Sequence, residues 1–161
     1  MAKILPGAIT HDYHGELVVF LIGMRINRPW RVDQWWPVFF AMPKMLAELE
    51  RDPDSGLLGH RLTLAAGGPL LVQYWSSLDK LYAYANDRDA LHRPAWAAFN
   101  RRARSAPGVV GIWHETYQVA RAETVYVSMP ASGLAAATAA VPIGRRSERA
   151  AERLAASRLV A

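Results

Sequence analysis

Cysteine is absent from the chain. Disulfides, zinc–thiolate sites, iron–sulfur clusters and thiol nucleophiles are therefore excluded. No apolar run approaches the roughly 20 residues that a spanning helix needs. The segment Met1 to Gly7 is too short for a signal peptide, so the expected location is the cytoplasm, with no membrane partner. Also missing are G-x-G-x-x-G, a P-loop, G-x-S-x-G, H-E-x-x-H and a carboxylate pair placed for glycosidase chemistry. Nucleotide and hydrolase readings have no support without them.

Positive charge is present, but in the wrong place for nucleic acid. The net charge is +5. From Ala131 onward, five arginines and two glutamates account for +3 of it, leaving +2 on the body. A nucleic-acid binder concentrates basic residues on a folded face rather than in an Ala/Arg-rich tail, so no nucleic-acid partner is expected.

What is there is apolar and aromatic. Half of the 161 residues are hydrophobic, enough for one domain with a sizeable core. Glu16 to Ile26 is a continuous apolar strand, a pattern that requires cover on both faces. Asp33 opens an aromatic helix, Gln34 to Glu50, which Pro43 should kink. Leu57 to Ala66 and Pro69 to Trp75 are strands around a Gly67-Gly68 turn. Ser76 or Ser77 caps a helix reaching about Ala85. A further helix covers Ala90 to Arg104. Val109 to Val119 is the fourth strand, and Thr124 to Met129 a short fifth.

The resulting β-α-β-β-α-α-β order is a ferredoxin-like α+β plan, an antiparallel sheet with helices on one face. The helices leave the second side of the first strand uncovered. A second copy of the sheet is the economical cover, which predicts a homodimer in the form of a dimeric α+β barrel. Residues 1–130 are read as this domain. Residues 131–161 are read as a partly helical Ala/Arg-rich extension, with a helix from Ser147 to Leu159. Its narrow apolar stripe implies that deletion from about Ala131 leaves the fold intact.

Two histidines carry the chemical interest. Helical spacing places His92 with Ala95, Trp96 and Phe99 on an apolar face. Burying an imidazole costs roughly 1–3 kcal/mol unless it is paired. Two readings follow: a core histidine bonded to a backbone carbonyl, or a ligand to a flat, iron-bearing cofactor. His114 alternates with Ile112 and Thr116 on the fourth strand. It is either a satisfied interface residue or an acid–base group facing the same cavity. Arg25 ends a buried strand and needs a partner, either Glu115 or a substrate anion. His11 and His14, with Asp12 between them, have the composition of a metal pair but lie in a polar segment. His60 reads as exposed. The set Trp30, Trp35, Trp36, Phe39, Phe40, Met42 and Met45 reads as core and as the wall of a pocket for a flat apolar or aromatic substrate.

The strings GMRINRPWRVDQWWPVFFAMPKML, YWSSLDKLYAYA, HRPAWAAFNRR and GIWHETY resemble an actinobacterial and fungal family similar to the polyketide monooxygenase of fumagillin biosynthesis. The resemblance runs from about Gly15 to Met129. It implies membership of the dimeric α+β barrel superfamily, with antibiotic-biosynthesis monooxygenases, heme-degrading monooxygenases and heme-dependent aldoxime dehydratases. Similarity to the aldoxime dehydratases implies a pocket position at Trp75, a heme b axial ligand at His92 and a catalytic group at His114; Trp96, on the His92 face of the helix, is read as lining the same cofactor site. Similarity to the heme-degrading enzymes implies roles for Asn27, Tyr84 and His92. Tyr84 stands where those enzymes have Trp. Three functions follow. One is a heme enzyme of monooxygenase or aldoxime-dehydratase type. The second is a cofactor-independent monooxygenase or isomerase of polyketides, using Arg25 and the histidines. The third is a non-enzymatic barrel that binds a small molecule.

Overall fold

The computed structural model describes residues 3–65, 67–144 and 147–160. Its centre is an antiparallel sheet of β3 (Val18–Ile26), β4 (Leu57–Ala65), β5 (Gly68–Trp75) and β6 (Val110–Gln118), in the order β4-β5-β3-β6. The helices α1 (Val32–Arg51), α2 (Leu78–Asn86) and α3 (His92–Ser105) complete the ferredoxin-like plan. Each of these elements lies within two residues of its sequence-expected limits.

Strand alternation sorts the side chains. The cross-strand register lines up Leu57, Trp75, Val18 and Gln118 in one row. His60, Gln73, Phe20 and Thr116 form the next, followed by Leu62, Leu71, Ile22 and His114. This is the helix-facing side, because Val18 and Trp75 form the buried core with Leu49 of α1 and Leu81 of α2.

α1 starts at Val32, two residues before the expected position, so Pro37 falls in its second turn. The helix runs on through Pro37 and Pro43, both of them exposed. Where such a position is exposed, water can take the carbonyl that a proline leaves without its N–H. α2 begins as expected. Ser77 is its N-cap and accepts the Lys80 N–H at 3.1 Å. Glu16 Oε1 accepts the Leu78 N–H at 2.9 Å, which satisfies a second free donor of the first turn.

The chain ends depart most from expectation. The polar start forms β1 (Leu5–Asp12) and β2 (His14–Glu16). β1 lies between β7 (Tyr126–Met129) and β8 (Ala139–Pro142), antiparallel to both. β2 pairs in parallel with β9 (Arg158–Val160). The expected long tail helix is reduced to α5 (Ala150–Ala155), and a short α4 (Gly133–Ala137) precedes β8. α4 lies on the sheet face away from α1, where a Cβ at Gly59 would stand 2.8 Å from Ala137 Cβ. Part of the second face is thus covered by this chain's own tail. Along β6 that face remains open, with Trp113 40% and Tyr117 51% exposed. Among the described residues, no helix is long and apolar enough to cross a membrane.

Candidate functional site

Between α1 and the sheet lies a cavity of about 330 Å³. Ile22, Met24, Leu71 and Ile112 make its floor, while Phe39, Met42 and Leu46 make its roof. Positions 39, 42 and 46 fall on one helical face, and Glu50 continues that face by a further turn. Leu62 and His60 line the β4 side. Glu50 and His60 are the polar side chains of the lining. They approach at 3.4 Å, His60 Nδ1 to Glu50 Oε1, with side chains 27% and 57% exposed. An apolar slot with one imidazole–carboxylate pair at its rim suits a small, flat, largely apolar molecule with one polar group.

Three of the cofactor positions read from sequence do meet. Trp75, Tyr84 and His92 form a column, with ring centroids 6.1 Å apart for Trp75 and Tyr84 and 5.1 Å for Tyr84 and His92. Trp75 is 1% exposed, and its Nε1 donates to Gln73 Oε1 at 2.9 Å. Tyr84 Oη donates to Glu48 Oε2 at 3.0 Å. Burial foremost, then the Glu48 carboxylate, push the Tyr84 phenol well above its usual range. Glu48 also accepts the Leu91 N–H at 3.1 Å, tying the start of α3 to α1.

Heme does not fit this column. His92 Nε2 sits 2.7 Å from Ala85 O, so that nitrogen carries the proton and donates. Nδ1 is then the acceptor, and it is buried without a hydrogen-bond partner. A lone pair facing protein could serve a metal only if a porphyrin plane could stand against it. None of Trp75, Tyr84 and His92 lines the cavity.

The other expected site residues are dispersed. Trp96 is 52% exposed and stacks on Phe99 at 5.3 Å. His114 shares the helix-facing side but sits on the edge strand β6, exposed, its ring 5.6 Å from that of Phe20. It stands three strand spacings, roughly 14 Å, from His60 on the opposite edge. Arg25 alternates with Met24, a cavity-floor residue, so it faces away from the cavity and lies against the Gly67 turn. Glu115 accepts from Tyr117 Oη at 2.8 Å. Asn27 is exposed beyond the end of β3, its N–H on Val109 O at 3.0 Å. His14 lies 3.2 Å from Asp12, and His11 Nδ1 lies 2.9 Å from Thr124 Oγ1. Among the described residues, no group of three or more metal-ligating side chains gathers there or elsewhere.

Sequence reasoning read His60 as exposed, which it is, without assigning it to a site, and did not single out Glu50 or Gln73. The signal for His60 was its alternation with Leu62 and Leu64, which puts it on their side of the strand. The signal for Glu50 was its helical spacing from Leu46. Gln73 is 5% exposed in the middle of the sheet, and nothing in its local sequence sets it apart.

A sequence profile of the family described as Monooxygenase af470-like matches residues 17–134. The chain belongs to this family. The match spans β3 through the start of α4 and thus contains the whole cavity. No curated protein matches. Among solved structures, the aldoxime dehydratase OxdRE in complex with butyraldoxime is 16% identical, with a TM-score of 0.52 over 70% of this chain and 34% of that one. This family member therefore spans about a third of that enzyme's length. SnoaB, a cofactor-independent oxygenase from Streptomyces nogalater, is 12% identical, with a TM-score of 0.48 over 67% of this chain and 97% of that one. A dimeric ferredoxin-like protein of unknown function from Thermobifida fusca is 19% identical, with a TM-score of 0.45 over 67% of this chain and 95% of that one. At such identities the likeness is one of fold.

Proposed function

We propose that the protein oxygenates a flat aromatic small molecule of polyketide type in the cavity beneath α1, with the substrate supplying the electrons. The carrying observation is the apolar slot itself, enclosed by one helix and the sheet within a chain of a monooxygenase family. A substrate methylene acidified by a carbonyl and flanking rings loses a proton to give an enolate. The enolate passes one electron to dioxygen, and the radical pair joins as a peroxide. Loss of water leaves a carbonyl, so CH2 and O2 become C=O and H2O with no further reductant. The apolar walls favour this by excluding water from the carbanion and its peroxide. His114, Arg25 and Asn27, the catalytic residues expected from sequence, do not line this slot.

A second copy completes the molecule. It covers the open sheet face that carries Trp113 and Tyr117, giving a homodimeric barrel whose two slots lie on its outer, helix-covered sides.

Oxygen uptake with anthrone tests the proposal. Wild-type protein should consume dioxygen and form anthraquinone in equal amounts, without added cofactor. Ala47→Phe, which fills the slot from α1, should abolish uptake while leaving the fold intact. Saturable binding of anthrone with no uptake above the uncatalysed rate would instead indicate a binding protein.

A further inference from the structure

We infer that His60 accepts the substrate proton in the cavity beneath α1, that Glu50 positions it, and that the substrate is therefore an aromatic with an ionisable hydroxyl or a comparably acidic C–H. The inference rests on the cavity being the substrate site.

Three observations carry it. First, among the described residues the lining offers no second acid–base pair: around Glu50 and His60, the remaining lining residues are aliphatic, methionine, aromatic, glycine or proline. A proton leaving a molecule in this slot has this imidazole–carboxylate pair as its built acceptor. Second, the pair is assembled from two separate elements. Glu50 comes from the last turn of α1, and His60 from the edge strand β4, ten residues on. The intervening loop is closed by the Ser55 N–H on Asp52 O at 3.1 Å and the Ser76 N–H on Gly56 O at 2.9 Å. Third, the contact is selective for one ring nitrogen. Glu50 Oε1 faces Nδ1 at 3.4 Å, leaving Nε2 to meet a bound molecule. A carboxylate beside the ring stabilises the imidazolium formed when the other nitrogen takes a proton.

The step is a proton transfer. The substrate O–H or C–H bond breaks, its electron pair stays on the substrate, and the proton bonds to His60 Nε2. Glu50 stays ionised and balances the new positive charge. Partial exposure of both side chains lets the proton pass onward to water. The apolar floor holds the ring system and gives the anion no competing donors, so its fate is set at the rim. The row neighbour of His60 is Gln73, whose Oε1 is taken by the Trp75 indole. That oxygen is a poor candidate to compete for the proton.

The test uses two probes on the full chain at one near-neutral pH. 4-Nitrophenol reports ionisation through its phenolate absorbance, and 4-nitroanisole has the same ring and no proton to give. Wild-type protein should bind both and raise the phenolate fraction of bound 4-nitrophenol above that in buffer. His60→Gln and Glu50→Gln should each lower that fraction at least threefold, while 4-nitroanisole affinity stays within twofold. A merely structural role at the cavity rim would move the two probes together. An equal phenolate fraction in wild type and His60→Gln, with 4-nitroanisole bound normally, overturns the inference and leaves the cavity reading standing. Failure of 4-nitroanisole to bind wild-type protein overturns both.

Discussion

Leu134→Ala decides whether the C-terminal segment is part of the fold. Its composition alone argues for an appendage, yet Leu134 is 4% exposed and Ala135 3%. The substitution removes three buried carbons, worth about 0.8 kcal/mol each, or roughly 2.4 kcal/mol of transfer free energy. Leu134 stands in α4, against β1 and β4, where surrounding strands restrict collapse into the void. A cavity contribution therefore brings the expected loss to about 3–4 kcal/mol, within the 2–5 kcal/mol seen for buried Leu→Ala changes. For a domain whose total stability is of order 5–15 kcal/mol, that is a large share. The assay is urea denaturation followed by tryptophan fluorescence, with the midpoint falling and the slope unchanged. Leu154→Ala in α5 is the control. Its side chain is 40% exposed, and the loss should stay below about 1 kcal/mol. Equal midpoints for Leu134→Ala and wild type would refute the reasoning and return the tail to the status of an appendage. A chain ending at Pro130 should fare worse than Leu134→Ala. It also loses β8 from beside β1, and Arg153 from the largely buried ion pair with Glu123.

Gly23→Ala should cost about 1–3 kcal/mol, because its new Cβ would collide with the Trp113 indole lying across the strand; thermal melts should show partial rescue by Trp113→Ala. Trp113→Asp should convert the proposed dimer to monomer in light scattering while the circular dichroism spectrum persists, since it puts a charge on the open sheet face. His11 is held below its ordinary pKa, first by burial, with Asp12 and Glu123 opposing. The unfolded chain therefore binds the extra proton between that lowered value and about 6.5, so stability from this group is present above pH 6.5 and lost as pH falls below it. Urea melts across pH 5–7 should show a shallower slope for His11→Gln than for wild type.

Much of the architecture was legible from local pattern. Val18 to Ile26 reads as a strand because its apolar residues are continuous. Ser77 reads as a cap because a short hydroxyl side chain precedes a helical run, and its oxygen takes the Lys80 N–H. The prolines of α1 do not end the helix, whose inner face is held by Leu46 and Leu49: Pro37 lies in its second turn and Pro43 borders the cavity. His92 shows both the reach and the limit of periodicity. Its spacing put it on the apolar face of α3, toward Tyr84, but could not say which atom would meet its ring nitrogens. Ala85 O, in the last turn of α2, lies 2.7 Å from one of them.

By itself, the order of periodic segments determined the four strands and three helices of the ferredoxin-like plan, because each strand and helix declares its buried side through residues a few positions apart. Only the tertiary structure decided the partners of the chain ends. β1 and β8 pair Ile9 with Pro142 and Asp12 with Ala139, and no local signal encodes a contact across more than 120 residues of chain. The same holds for the rim of the cavity. Glu50 closes a helix and His60 opens into a strand, each unremarkable alone, and they become a pair because the Asp52–Gly56 loop turns β4 back beside the end of α1. Helical and strand periods fix which way a side chain points. Which other side chain it meets is set by how the elements dock, a property of the whole chain's packing rather than of any window within it.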